Sequence, residues 1–306
     1  MVHDEGKSKE QANFGGPWTE RKLEALVKYL NAYMIIMRHN RTAKEYLHTT
    51  YVDAFAGVGR RYTKPAANAS VVLEGLEGFV ESDVREFYEG SALRALQIKE
   101  PFDRYVFVDS SEEAVSELEK LKAEFKNIAI EVACADANDY LREFCAKMTP
   151  VDRAVVFLDP FGMQTEWATI EAIAGTRKID LWALVPLCQA LLRMMPKDAL
   201  PPPQWSDRLS RFLGGEDWRS LYCRQPTMTL FGPKETVVRG GWPAMQNLIV
   251  KRWESVFAGV LKTPIVLRNR NNCPLYALFF GVSNPRAVKA ALNIAVDLAR
   301  DFEDGG

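Results

Sequence analysis

The chain is poor in the residues that build metal and redox centres. It has three histidines, His3, His39 and His48, and no two stand at ligand spacing. A histidine-based metal site is therefore not expected. Its five cysteines, Cys134, Cys145, Cys188, Cys223 and Cys273, are scattered. No pair has CxxC spacing and their number is odd, so neither a zinc site nor a disulfide framework is indicated. Most of them read as small buried hydrophobes. No run of eighteen apolar residues occurs, and the N-terminal MVHDEGKSKE lacks the apolar centre of a signal peptide. A soluble, cytoplasmic protein without membrane contact is expected. Charge of one sign is not in excess either: 39 Lys and Arg face 40 Asp and Glu. Nothing pulls the whole chain toward nucleic acid or an anionic membrane. Internal repeats and low-complexity segments are also lacking.

What is there is ordinary globular composition, 47% hydrophobic and 26% charged over 306 residues. That suffices for one large α/β domain or two smaller ones. The charge is unevenly placed. From Pro186 to Arg270, thirteen Lys and Arg stand against six Asp and Glu. Patches of this kind also arise as plain solvated surface.

Residues 1–16 read as a loose arm. PWTERKLEALVKYLNAYMIIMRHN then sets Leu23, Leu26, Val27, Leu30, Met34 and Met37 at helical spacing, with Thr19 as the cap. TTYVDAFAG follows as a short strand. After an inserted segment, 60–89, EGSALRALQIK reads as a helix over 89–99. Strands at 104–109, 127–136, 153–159 and 179–187 alternate with helices at 111–125, 138–148 and 165–175. Continuous apolar strands alternating with helices predict a doubly wound, mostly parallel α/β sheet of seven strands. Residues 188–241 break the rhythm with Pro201, Pro202, Pro203 and abundant Gly, Trp and Arg, and read as an inserted helical cap. A helix at 242–261, strands at 263–269 and 274–283, and a helix at 284–302 complete the pattern. The last two strands read as a C-terminal antiparallel hairpin at one edge. The α/β domain is then 17–187 with 242–303, and 188–241 is a substrate or partner cap.

In an open parallel sheet, ligands bind beyond the carboxyl ends of the strands. The first strand ends on Asp53, Phe55, Ala56, Gly57 and Gly59, the second on Asp109 and Ser110, and the third on Asp136 and Ala137. The fourth ends on Asp159, Pro160, Phe161 and Gly162. Glycines let backbone approach a ligand closely. A carboxylate after the second strand suits the two hydroxyls of a ribose, and one after the third suits an exocyclic adenine amine. Each feature alone has a simpler reading. Gly57 and Gly59 also make a plain turn, Asp109 and Asp136 also cap helices, and Asp159 also caps a tight strand-to-helix turn. The joint order is that of a nucleoside site. GVGRRYTKPAAN does not open into a helix, and Asp109 lies fifty residues past Gly59, so a dinucleotide fingerprint is not met. S-adenosylmethionine fits better, with Gly90 and Ser91 completing the candidate set.

WTERKLEALVKYL, YVDAFAGVGR, EGSALRAL, FVDSS, ADAND, VVFLDPFGMQ and LYALFFGVSN occur here in one order. Over roughly 17–300 this resembles the three-Cys-motif partner proteins, TcmP. The resemblance implies a class I methyltransferase fold and a companion protein with three cysteines that resembles radical-SAM enzymes. The 60–89 segment is longer than the family pattern. Asp-Pro-Phe-Gly also resembles the fourth motif of amino-methyltransferases, including the tRNA guanine N2-methyltransferases. By that resemblance Asp159 and the Pro160 carbonyl accept the hydrogens of an exocyclic amine, Phe161 stacks on the base and Gly162 leaves it room.

Three functions are open on this reading. The first is methylation of a nucleic-acid base or nucleotide-like substrate. Arg193, Lys197, Trp205, Arg208, Arg211, Trp218 and Arg219 then form the substrate surface, since basic and aromatic residues together suit phosphates and stacked bases. The same cluster also reads as a cap with core aromatics and solvated arginines. The second is a scaffold partner of the three-Cys-motif protein with weak or no catalysis. The third is methylation of a protein or small molecule.

Overall fold

The computed structural model describes residues 17–40, 46–57, 90–160, 162–229, 232–268 and 272–304. The expected arm at 1–16, the segment 60–89, Gly59 and Phe161 lie outside these. Helix α1 spans Pro17–Asn40, so Thr19 lies within its first turns and not at the cap position. Strand β1 (His48–Asp53) is followed by α2 (Ser91–Leu96), β2 (Arg104–Asp109), α3 (Glu112–Glu124) and β3 (Ile130–Cys134). Then come α4 (Ala137–Lys147), β4 (Asp152–Leu158), α5 (Trp167–Gly175) and β5 (Ile179–Val185). The sheet order is β3-β2-β1-β4-β5, all parallel. Each of these strands is an apolar run; β5 is buried along its whole length, as helices on both faces require.

Beyond β5 lies β10 (Pro274–Val282), the strand that runs against the others. Its far edge is shared in tandem by β8 (Gly259–Val260) and β9 (Ile265–Arg268). The β9–β10 hairpin is the expected C-terminal one, and β8 is an eighth strand that sequence spacing did not suggest. The helix expected over 242–261 stops early: α7 is Trp242–Glu254. Glycine explains the change. A Cβ on Gly259, which lies opposite Val282, would stand 2.8 Å from Val288, and one on Gly281, opposite Val260, 2.9 Å from Phe257. Only bare backbone lets β8 and the final helix α8 (Val288–Asp304) close on β10.

The pleat sorts the core into two faces. Val52, Val106, Val156, Leu158 and Leu181 point to an aliphatic face covered by α4, α5 and α7. Tyr51, Tyr105, Phe107, Phe157, Trp182 and Phe280 point to an aromatic face covered by α1, α2, α3 and α8. Burial of each such phenylalanine is worth about 1.5–3 kcal/mol. Tyr29 of α1 meets Trp182 and Phe280 edge-on or tilted at 5.4 and 5.1 Å between ring centroids.

The 188–241 insertion holds more than short helices. After one π-helical turn, Leu187–Leu191, come α6 (Pro203–Leu213) and a 3-10 turn, Asp217–Leu221. A two-stranded antiparallel ribbon follows, β6 (Tyr222–Thr229) with β7 (Gly232–Arg239). β-Branched Thr227, Thr229, Thr236, Val237 and Val238 favour the extended form, a signal outweighed in the sequence by the neighbouring Pro, Gly and Arg. The cysteines also differ from expectation. Cys134, Cys223 and Cys273 are exposed, and Cys145 and Cys188 are half-buried against the aliphatic core. Among the described residues no helix is long and apolar enough to cross a membrane.

Candidate functional site

Parallel register carries the acidic residues to one edge and one face. Asp53 lies level with Phe107 on β2 and Phe157 on β4. Asp109 and Asp159 are each two residues further, so the pleat turns all three toward the aromatic face. Beyond the strands, Ala54 N–H still donates to Phe157 O and Ala56 N–H to Val108 O, at 3.2 and 3.0 Å. These bonds hold the first loop on the sheet. Gly57 takes φ 56°, a left-handed conformation, and its N–H donates to Asp109 Oδ2 at 2.9 Å. Asp109 Oδ1 accepts from Ser111 N–H at 2.8 Å. Asp109 thus knits the β1 loop to the start of α3, and a carboxylate with two bonds keeps lone pairs for a hydroxyl. The helix itself is capped by Ser111, whose Oγ accepts from Ala114 N–H.

Asp136 is exposed and caps α4, its Oδ1 accepting from Asn138 and Asp139 N–H at 2.8 and 3.0 Å. Ala137 is the buried first residue of that helix. Gly90, at φ 120°, precedes α2 and faces Leu23 of α1; the buried Ser91 follows. Phe55 is half-buried against the aliphatic core, and Ser110 is exposed.

Asp159 has the least expected surroundings. It is 1% exposed, and its Oδ2 accepts from Lys22 Nζ at 2.6 Å. Lys22 is fully buried, 5.4 Å from the centre of the Phe157 ring. Asp53 completes the cluster, its Oδ2 3.4 Å from the Tyr51 hydroxyl. Burial shifts all three groups toward their neutral forms. It raises Asp159 to about 7 against the pull of Lys22, and Asp53 to about 6 against Ser91, Lys22 and the Phe55 N–H. It lowers Lys22 to about 8, while Asp159 and Asp53 hold its proton. In this cluster two acceptors remain buried with no hydrogen-bond partner: Asp53 Oδ1 and Asp159 Oδ1.

Sequence reading had not included Lys22. It stands four residues before Leu26 and seven before Tyr29, on the buried stripe of α1; a charged residue at an apolar-stripe position was the available signal. Asn138 was also missed. Buried at the start of α4, it donates to Gln164 O and accepts from Glu166 N–H and Thr169 Oγ1, each at 2.9 Å. It thereby ties the loop after Gly162 to the body. Pro160 is buried, and Gly162 turns that loop at φ 64°.

The insertion residues do not behave alike. Trp218 is 0% exposed, and its indole N–H donates to Ser210 Oγ at 3.0 Å. It is a core residue, not a stacking platform, because α6 and α7 pack against its turn. Arg219 lies over that indole and pairs with Glu216. Trp205 is half-buried on the same core. Lys197 and Arg211 are exposed, and Arg193 and Arg208 half-exposed.

No family model matches the chain, and no curated protein does. Among solved structures, protein LPL1258 of Legionella pneumophila str. Philadelphia 1, assigned to DUF519, is 11% identical over 91% of this chain and 92% of its own, with TM-score 0.43. Trm1 from Pyrococcus horikoshii, in complex with S-adenosyl-L-methionine, is 12% identical over 93% of this chain and 71% of its own, with TM-score 0.35. The N-terminal domain of EvdMO1, in the presence of SAH and D-fucose, is 10% identical over 92% and 89%, with TM-score 0.35. These are likenesses of broad outline, and the fold class stands on the strand order itself.

Proposed function

We propose that the chain is a methyltransferase that uses S-adenosylmethionine and acts on an exocyclic amine of a nucleic-acid base. The observation that carries this reading is the pair of orphaned carboxylate oxygens, Asp53 Oδ1 and Asp159 Oδ1, at adjacent strand ends. A buried acceptor without a donor costs about 1–3 kcal/mol. A site that keeps two of them is suited to donors that arrive from outside, and an amine N–H is such a donor. The surrounding residues fit the cofactor: Asp109 for the ribose hydroxyls, Asp136 and Ala137 beside the adenine, and Gly57, Gly90 and Ser91 along the methionyl end. When bound, it supplies an electrophilic methyl group on a sulfonium cation. With Lys22 protonated and both carboxylates ionised, the cluster carries one net negative charge, which suits a cationic donor.

Asp159 accepts an N–H of the acceptor, which returns lone-pair density from the ring to the nitrogen, and the proton released has a carboxylate beside it. The Pro160 carbonyl is a second acceptor; proline has no competing N–H. Arg193, Lys197, Arg208 and Arg211 supply positive charge for phosphates. A base within a duplex must first be extruded. Calorimetry with S-adenosylmethionine and S-adenosylhomocysteine, then labelled methyl transfer to total RNA, DNA and protein with Asp159→Ala as control, tests the reading. Label on nucleic acid that depends on Asp159 is expected. Label confined to protein overturns the acceptor, and no cofactor binding up to the millimolar range overturns the whole reading.

A further inference from the structure

We infer that Lys22 is the positioning residue of the amine site: it pins one oxygen of Asp159, favours the ionised form of that carboxylate beside Asp53, and leaves Oδ1 to receive the acceptor. The inference rests on the amine-methyltransferase reading and adds a residue from outside the strand-end loops. Three observations support it. Lys22 Nζ bonds Oδ2 alone among the two oxygens, at 2.6 Å, while Oδ1 is buried without a partner. A carboxylate held at one oxygen has one orientation, so the other oxygen faces one direction. Next, among the described residues the groups facing Asp159 are few. Lys22 comes from α1, Asp53 and Tyr51 from β1 and Phe157 from β4, and Ser91 bonds Asp53. Lys22 is the cation among them, and without it two carboxylates meet in a dry space. One would then take up a proton, becoming a weaker acceptor and no longer a base. Finally, a buried ion pair is a poor choice for stability alone, since well-packed apolar residues of similar volume serve as well or better. Among the described side chains of α1, another polar tie to the sheet is Tyr29–Asp180, a hydroxyl to a carboxylate.

Selective 13C labelling of aspartate carboxyls reads the ionisation of Asp159 directly, with Asp159→Asn to assign its signal. In Lys22→Met the Asp159 signal titrates at higher pH than in the wild type. Methyl transfer at pH 7 falls at least tenfold and recovers part of the loss as pH rises toward 9. Lys22→Arg restores most of the activity, and cofactor affinity stays within about threefold in both variants. Lys22→Gln, which keeps a donor of similar volume without the charge, replaces Lys22→Met if that variant does not fold. An unchanged Asp159 titration, or transfer equal to wild type across the pH range, overturns the inference. A wild type that binds no cofactor fails the amine-site reading instead, while the titration still reports on Lys22 and Asp159.

Discussion

At the residue scale the chemistry rests on burial of carboxylates. Asp159→Asn keeps the shape and removes the charge, so transfer to an amine should fall by about two to four powers of ten, the usual loss when a general base is removed. Activity within threefold of wild type in a single-turnover assay would sink that role. Asp180 gives a separate test away from the site. It is 5% exposed at the start of β5, and burial raises it to about 7, with the Tyr29 hydroxyl, 2.7 Å away, opposing. A carboxyl raised on folding makes the folded state bind more protons between the unfolded value and about 7. Stability therefore falls as pH rises through that window. Asp180→Asn removes this contribution and can still accept from Tyr29. Melting temperatures should move in its favour relative to wild type from pH 4 to pH 7, then run parallel. A gap that does not change with pH would contradict the assignment.

At the element scale, two glycines with positive φ answer to different causes. Gly214 ends α6 at φ 77°, with its own N–H and that of Gly215 donating to Ser210 O. A Cβ there would stand 2.2 Å from the Trp167 indole. Gly162 has φ 64° and open space around the missing Cβ. Gly162→Ala should cost about 1–2 kcal/mol of backbone strain. Gly214→Ala carries that strain plus an overpacking cost of about 1–3 kcal/mol. Urea denaturation of both variants checks the order, and equal costs would show that the Trp167 contact yields freely. The two polar ties of α1 have a related logic. Lys22 and Tyr29 are two turns apart on one face, about 10 Å along the axis. They bond Asp159 and Asp180 at opposite ends of the sheet. This sets α1 antiparallel to β4 and delivers the lysine to the strand ends.

At the scale of the whole molecule, charge is nearly balanced, and any affinity for nucleic acid must be local. The 188–241 insertion holds the exposed or half-exposed Arg193, Lys197, Arg208 and Arg211. Binding to single-stranded RNA should weaken with salt, and Arg208→Ala with Arg211→Ala should flatten the log–log slope by about 0.7 per lost phosphate contact. Filter binding over a salt series measures it. A slope unchanged by both substitutions would place the contact surface elsewhere. Trp218 takes no part in such a surface, because it is buried behind α6.

The sequence by itself determined the alternation of buried strands and helices, because two-sided burial demands continuous apolar runs and polar connections. It also determined that acidic residues close the first four strands, and parallel strands necessarily bring those ends to one edge. Three matters were decided only by tertiary structure. β8 exists because Gly259 and Gly281 permit a close approach that no local pattern signals. Trp218 is core because neighbouring helices cover it, whereas in the sequence it stood among arginines. Lys22 reaches Asp159 from 137 positions away. A helix pattern shows which residues face inward, but the partner of an inward charge depends on how the helix lies across the sheet.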